Sequence, residues 1–130
     1  MRFMFIVKAT HFAPPTPELM EAMGKLADQE TKAGRMLDSG GLTPIAAGAE
    51  VRLRDGKVSV VDGPFVEAKE VIGGYAVFEL KNKEEALASA MNFMQLHRDL
   101  QPGWEGTCEV RELFMDCGQV HPELRELAQA

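Results

Sequence analysis

The sequence predicts an α+β fold in which strand-like and helix-like segments alternate along the chain. Two stretches with helical periodicity follow polar caps, residues 50–61 alternate around an Asp55-Gly56 turn, and residues 3–7 are apolar on both faces. In chain order the segments are strand, helix, strand, hairpin, strand, helix and strand. This order predicts a βαββαβ core with an inserted β-hairpin. We expect one domain over residues 1–130, with a core at about residues 1–115 and a C-terminal tail at 116–130.

The first strand is apolar on both sides, because Phe3, Phe5 and Val7 alternate with Met4 and Ile6. A strand with one wet face carries polar residues at every second position. Both faces of the sheet should therefore be covered.

The first helix is predicted to begin at Thr16-Pro17, since Thr is a favoured N-cap and Pro a favoured first helical residue. Gly34 supplies a C-terminal stop. A short segment at residues 36–37 and a turn at Gly40-Gly41 should follow. The apolar stripe of the helix consists of Leu19, Met23, Leu26 and Ala33, with Met20 and Ala27 beside them.

The hairpin at residues 50–61 has a predicted register, because a two-residue Asp55-Gly56 turn fixes which residues are opposite each other. One side becomes apolar and the other cationic. The apolar pairs are Leu53 with Val58 and Val51 with Val60, and the polar pairs are Arg52 with Ser59 and Arg54 with Lys57.

The second half of the chain repeats the strand and helix pattern. Residues 74–80 alternate as a strand, and Asn82 with Glu85 resembles a capping box for a helix that ends near Leu100. Residues 107–115 form the closing strand. The inner face of the second helix is predicted to carry Ala86, Leu87, Ala90, Met91 and Met94.

Both helices should lie on one face of the sheet, which leaves the other face bare in a single chain. The apolar character of residues 3–7 then favours a homodimer in which two sheets pack about a twofold axis. The alternative is that the hairpin and the C-terminal tail of the same chain cover this face.

The composition excludes several classes of partner. The net charge of −6 does not favour direct binding to nucleic acid or to an anionic membrane surface. Residues 1–8 are too short an apolar run for a signal peptide or a membrane span. We therefore expect a cytoplasmic protein, in which Cys108 and Cys117 remain reduced.

The sequence contains no phosphate-binding glycine loop, nucleophile elbow, dinucleotide fingerprint or cluster with metal-ligand spacing. A site that uses neither cofactor nor metal is the expected kind. Of three histidines, His11 is the best placed for acid or base work, since it follows the first strand. His97 is interpreted as a helix-end residue that interacts with the helix dipole, and His121 as a loop residue.

Functional residue types are densest between the hairpin and the next strand. The motif is Asp62-Gly63-Pro64-Phe65, followed by Glu67, Lys69-Glu70 and Gly73-Gly74-Tyr75. It resembles the signature of the DGPF branch of the YciI-related (YCII domain) family, and the resemblance extends to about Phe114. It implies a ferredoxin-like subunit that forms a dimeric α/β barrel.

The resemblance also bears on the site. The resemblance to YciI-like proteins implies an acid/base pair made of a histidine in the first helix and an aspartate. This chain, however, has no histidine between Thr16 and Gly34. Asp62 is the only carboxylate of this chain that matches the DGPF motif, and we assign it as the acid or base. The predicted substrate-binding residues are Lys8 or Lys69 for an anion, Glu67 and Glu70 to orient the lysine, and Phe65 as the pocket floor. Alternatively, Asp62 caps a turn and the other residues form a solvated or structural charge network.

Two functions remain open. The first is a small-molecule-binding protein or cofactor-independent enzyme that uses acid/base chemistry at the DGPF loop, by analogy with dimeric α/β barrels. The second is a regulatory protein without chemistry. If the protein is regulatory, the resemblance to DGPF proteins implies that it associates with an extracytoplasmic-type sigma factor.

Overall fold

The computed structural model describes residues 1–11, 13–63 and 71–114. It confirms a mixed α+β protein with two helices and antiparallel sheets. The elements in chain order are β1 (Arg2–Ala9), α1 (Pro17–Lys32), β2 (Met36–Gly41), a 3₁₀ turn (Ile45–Ala47), β3 (Ala49–Arg54), β4 (Lys57–Asp62), β5 (Val71–Glu79), α2 (Lys83–Leu100) and β6 (Gly106–Glu112).

Four strands form one antiparallel sheet in the order β2-β5-β1-β6. α1 connects β1 to β2, and α2 connects β5 to β6. This connectivity is compatible with a ferredoxin-like fold. Strands β3 and β4 form a separate two-stranded sheet, which is the inserted hairpin.

The hydrophobic core lies on one side of the sheet. Phe3 is opposite Phe78 in the β1–β5 pair, and the rings of Phe5 and Phe78 stack with centroids 4.7 Å apart. Ala86 and Ala90 of α2 pack against these rings. Both are small, so the helix backbone approaches the sheet closely.

Both helices begin at the predicted caps. The Thr16 hydroxyl accepts a hydrogen bond from the Leu19 amide at 3.1 Å, and Pro17 is the first residue of α1. The Asn82 side chain accepts from the Glu85 amide at 2.8 Å. These bonds satisfy amide groups that have no partner within the first turn of a helix.

The hairpin has the predicted register and turn. Val51 is opposite Val60 and Leu53 is opposite Val58. Asp55 (φ 53°) and Gly56 (φ 75°) both have positive φ, as a type I′ turn requires. The four apolar side chains of this face are exposed by 67% to 71%, so no described part of the chain covers them.

Besides shifts at the ends of the hairpin and of β6, two boundaries differ from the prediction. Gly40 and Gly41 form no turn, because they continue β2 and pair with Tyr75 and Gly74 of β5. β5 begins at Val71, three residues before the predicted start. In both places cross-strand pairing overrides the turn preference of glycine.

The predicted inner face of α2 was also partly wrong. Leu87 and Met91 are 43% and 62% exposed, whereas the buried positions are Ala86, Ala90 and His97. Compared with the prediction, α2 is rotated about its axis so that its small residues face the sheet. This orientation lets the helix backbone approach the sheet more closely. Met20 of α1, placed beside the apolar stripe, is likewise exposed.

Several predictions concern residues outside the described ranges. These are the predictions for residues 64–70, for Cys117 and for the tail at 116–130. Neither described helix is both long enough and apolar enough to span a bilayer.

Candidate functional site

A cavity of about 590 Å³ lies between the helices and the sheet. It exists because the side chains on the helix side of β1 become smaller along the strand, from Phe3 and Phe5 to Val7 and Ala9. The facing residues of β5 change in the same direction, from Phe78 to Gly74. The large side chains at one end of the sheet fill the hydrophobic core, and the small side chains at the other end leave space under α1.

The cavity wall is predominantly apolar. α1 contributes Met23, Leu26 and Ala27, and α2 contributes Phe93. No lysine, arginine, aspartate or glutamate is among the described lining residues. The polar side chains in the described wall are His11, Ser39, Thr43, Tyr75, Ser89, His97, Trp104 and Cys108.

Among the described residues of this wall, His97 is the buried polar group, with only 6% of its surface exposed. Its ring lies between Phe93 and Trp104, with centroid distances of 4.6 and 4.5 Å. Its Nδ1 is 3.1 Å from the Phe93 carbonyl oxygen. Two aromatic contacts and one hydrogen bond therefore hold the imidazole in one orientation.

The end of α2 is fastened to the start of α1 through Gln101. The side-chain oxygen of Gln101 accepts a hydrogen bond from the Thr16 backbone N–H at 2.8 Å. The side-chain nitrogen of Gln101 donates to the Pro14 carbonyl oxygen at 3.1 Å. The Thr16 hydroxyl donates to the Leu100 carbonyl at 2.7 Å. These bonds hold the turn that returns Trp104 toward His97.

Gly106 allows Trp104 to reach the cavity. A Cβ atom at this position would overlap both the Lys8 carbonyl oxygen and the Trp104 ring. Only glycine lets the ring and strand β1 approach β6 this closely.

Cys108 adds a thiol to the wall, opposite Val7 in the β1–β6 pair. Burial raises the pKa of this thiol, because a thiolate is poorly solvated there. At neutral pH Cys108 is therefore a protonated, weakly reactive group.

His11 lies in the cavity wall and is itself exposed to solvent. It therefore marks a point where the cavity meets the surface. Its Nδ1 is 3.1 Å from the Thr10 hydroxyl.

Lys8 lies on the opposite side of the sheet from the cavity. Neighbouring residues of a strand face opposite sides, and Lys8 follows the cavity-lining Val7. Its Nζ is 2.8 Å from Glu109 Oε1, and this contact lowers the pKa of the Glu109 carboxyl. The structure thus places the predicted Lys8 and His11 apart.

Asp62 is the last residue of β4, is exposed, and is not among the described lining residues. Gly63 follows it without a positive φ. This glycine is required for space, because a Cβ atom would overlap the carbonyl oxygen of Ile45. Phe65, Glu67, Lys69 and Glu70 lie outside the described residues.

Comparison with known proteins places the chain among its relatives. The YCII-related domain family matches residues 1–99. The chain belongs to this family. An uncharacterised protein of Rhizobium meliloti (strain 1021) is 28% identical over 97 residues, which cover 75% of this chain and 74% of that protein.

In this YCII-related protein, sequence reasoning missed His97 as a site residue. It was interpreted from its position near a helix end, but it is buried in the cavity wall. A partial sequence signal was present, since Phe93 and His97 are four residues apart and share one face of α2, whereas Trp104 lies beyond the end of the helix. Only the turn at residues 101–104 completes the cluster.

Proposed function

We propose that this YCII-related protein binds a small, largely apolar molecule in the cavity between the helices and the sheet. The observation that carries the proposal is the cavity itself. Its volume of about 590 Å³ falls within the usual range for ligand sites. Its wall is apolar with a few polar groups, which is the usual chemistry of a small-molecule site.

Trp104 provides a direct test, because it is the single tryptophan of the chain and lies in the cavity wall. A library of neutral aromatic and alicyclic compounds, ketones included, together with a set of carboxylates, should be titrated while Trp104 emission and the melting temperature are recorded. A ligand should change the emission and raise the melting temperature by mass action.

A pair of matched variants identifies where the ligand binds. Ala27→Phe places a ring in the cavity wall, whereas Ala88→Phe places the same ring on the exposed side of α2. Binding should be lost in the first variant and retained in the second. Equal binding by both folded variants would disprove the cavity as the site.

We further propose, as the catalytic form of this function, acid/base chemistry at the cavity entrance by His11 and Asp62. The support is that His11 lies in the wall, and that Gly63, which follows Asp62, packs against the backbone of Ile45, another residue of the wall. Phe65, Glu67, Lys69 and Glu70 remain predicted substrate-binding residues. Turnover of a bound compound should fall in His11→Ala and Asp62→Asn with binding retained. Unchanged turnover in both would refute this assignment.

A homodimer that forms the predicted α/β barrel is also proposed. The supporting observation is the hairpin face of Val51, Leu53, Val58 and Val60, together with the half-buried apolar residues on the outer side of the sheet. Burial of such side chains contributes about 25 cal/mol per Å². Val58→Lys should shift the mass measured by light scattering toward the monomer. Ser59→Lys, on the other side of the same strand, should not.

The exposed hairpin also supports the alternative function of an accessory protein. If the protein is monomeric and no compound binds, this face becomes the place to seek the predicted sigma-factor contact. Copurification that Val58→Lys abolishes and Ser59→Lys preserves would favour the alternative.

A further inference from the structure

We propose that His97 recognises the ligand by accepting a hydrogen bond at Nε2. The cavity is thereby assigned to neutral aromatic or alicyclic molecules that carry a hydroxyl group. This inference rests on the proposed binding function and adds the class of ligand and the residue that selects it.

The tautomer follows from the partner of Nδ1. The Phe93 carbonyl oxygen, 3.1 Å from Nδ1, can only accept a hydrogen bond. The proton of the neutral imidazole is therefore on Nδ1. Nε2 then carries a lone pair and can accept a hydrogen bond but cannot donate one.

Nε2 is available to a ligand. His97 is 94% buried, and no group in the described ranges bonds its Nε2. Every fully buried side-chain nitrogen or oxygen in those ranges has a hydrogen-bond partner. Nε2 has none, so this atom is accessible. Since His97 lies in the cavity wall, Nε2 is reached from the cavity. A bound molecule that covers this accessible acceptor without donating to it leaves Nε2 unpaired, which costs free energy.

The described residues around Nε2 favour a neutral group at this point of the cavity. No described lining residue carries a carboxylate, an ammonium or a guanidinium group. An ion in such a wall would lose its hydration without gaining a counter-charge. A hydroxyl group donates to Nε2 at a much lower desolvation cost.

The ring system of the ligand is argued from shape and contact. Phe5, Phe93 and Trp104 present aromatic surfaces, and Met23 and Met36 present flexible apolar ones. Because Phe93 and Trp104 hold the imidazole between them, Nε2 has a fixed direction. A rigid ring with one hydroxyl matches a fixed acceptor better than a flexible chain does.

The test compares 4-ethylphenol with its methyl ether, 4-ethylanisole, using Trp104 emission on the full chain. The phenol can donate to Nε2 and the ether cannot. We expect the wild type to bind the phenol roughly 3- to 12-fold more tightly, which corresponds to one hydrogen bond. His97→Phe retains an aromatic ring and should bind both compounds with similar affinity.

The outcomes separate the two proposals. Binding of both compounds with equal affinity by the wild type would overturn the role of His97 and leave the cavity function intact. Binding of neither compound would overturn the cavity function for this ligand class, and the role of His97 with it. A preference that persists in folded His97→Phe would show that another residue accepts the hydrogen bond.

A measurement on the wild type avoids dependence on a variant that fails to fold. The ¹⁵N resonance of His97 Nε2 should show the deprotonated nitrogen in the free protein and should move when the phenol binds. The ether should leave it nearly unchanged. A neutral imidazole that carries its proton on Nε2 in the free protein would contradict the proposal.

Discussion

The two sides of the four-stranded sheet differ in how much of their apolar surface one chain covers. On the helix side, Phe3, Phe5 and Phe78 are 2% to 4% exposed. On the other side Met4, Ile6 and Val77 are only half-buried, and the hairpin exposes Leu53 by 71%.

This contrast separates two kinds of function. The helix side is closed enough to hold a cavity and a buried imidazole, so it suits a small molecule. The outer side and the hairpin have an apolar surface that one chain does not cover, so they suit a protein partner. Apolar residues alternate in a similar way on both sides of the sheet, but the function each side suits depends on whether the helices of the same chain cover it.

The largest expected effect compares one apolar side chain from each region. Phe78→Ala should lower the free energy of unfolding by about 3–5 kcal/mol, because it opens a void in the core. Leu53→Ala should change it by less than about 0.5 kcal/mol at low protein concentration. Urea denaturation measures both. Equal losses would mean that the hairpin is buried in solution, and the contrast between the regions would be wrong.

A smaller effect is expected from the bonds that position the cavity wall. Gln101→Ala removes an acceptor for the Thr16 amide and a donor to the Pro14 carbonyl. The free energy of unfolding should fall by about 1–3 kcal/mol. Trp104 emission should shift as the turn loosens. Gln95→Ala, at an exposed position of α2, is the control and should change neither quantity.

The smallest effect concerns the outer side, where the ion pair of Lys8 and Glu109 stays near solvent. The pKa of Glu109 lies below the ordinary value of 4.5, chiefly because it accepts a hydrogen bond from Lys8. The unfolded chain therefore binds more protons, so this contribution is complete above pH 4.5 and is lost as pH falls through the folded pKa. Screening by solvent keeps it small.

Glu109→Gln should therefore lose slightly more stability near pH 7 than near pH 3, as measured by urea denaturation at a series of pH values. Glu112→Gln, at the exposed end of the same strand, is the control. A difference from wild type that does not change with pH would contradict the assignment.

The fold was largely predictable because its signals are local. The caps at Thr16 and Asn82 and the register of the hairpin each depend on residues within a few positions of one another. The errors came where distant segments meet. Gly40 and Gly41 look like a turn until β5 pairs with them, and Leu87 looks buried until α2 is rotated by its alanines.

The candidate site was less predictable for the same reason. His11 was singled out because it follows a strand, and the structure places it in the cavity wall, while its acid or base role stays a prediction. His97 was missed because its burial depends on Trp104 and on a cavity formed by α1, β1 and α2 together.

The sequence by itself determined the elements, their caps, the hairpin register and the resemblance to the YCII-related family. Hydrogen bonds and alternation act over a few residues, so one sequence is enough to reveal them. Tertiary structure alone decided where the cavity lies and which histidine it buries. That outcome depends on residues as distant in the chain as Val7 and His97, which line the same cavity and whose positions are set by the packing of the whole fold.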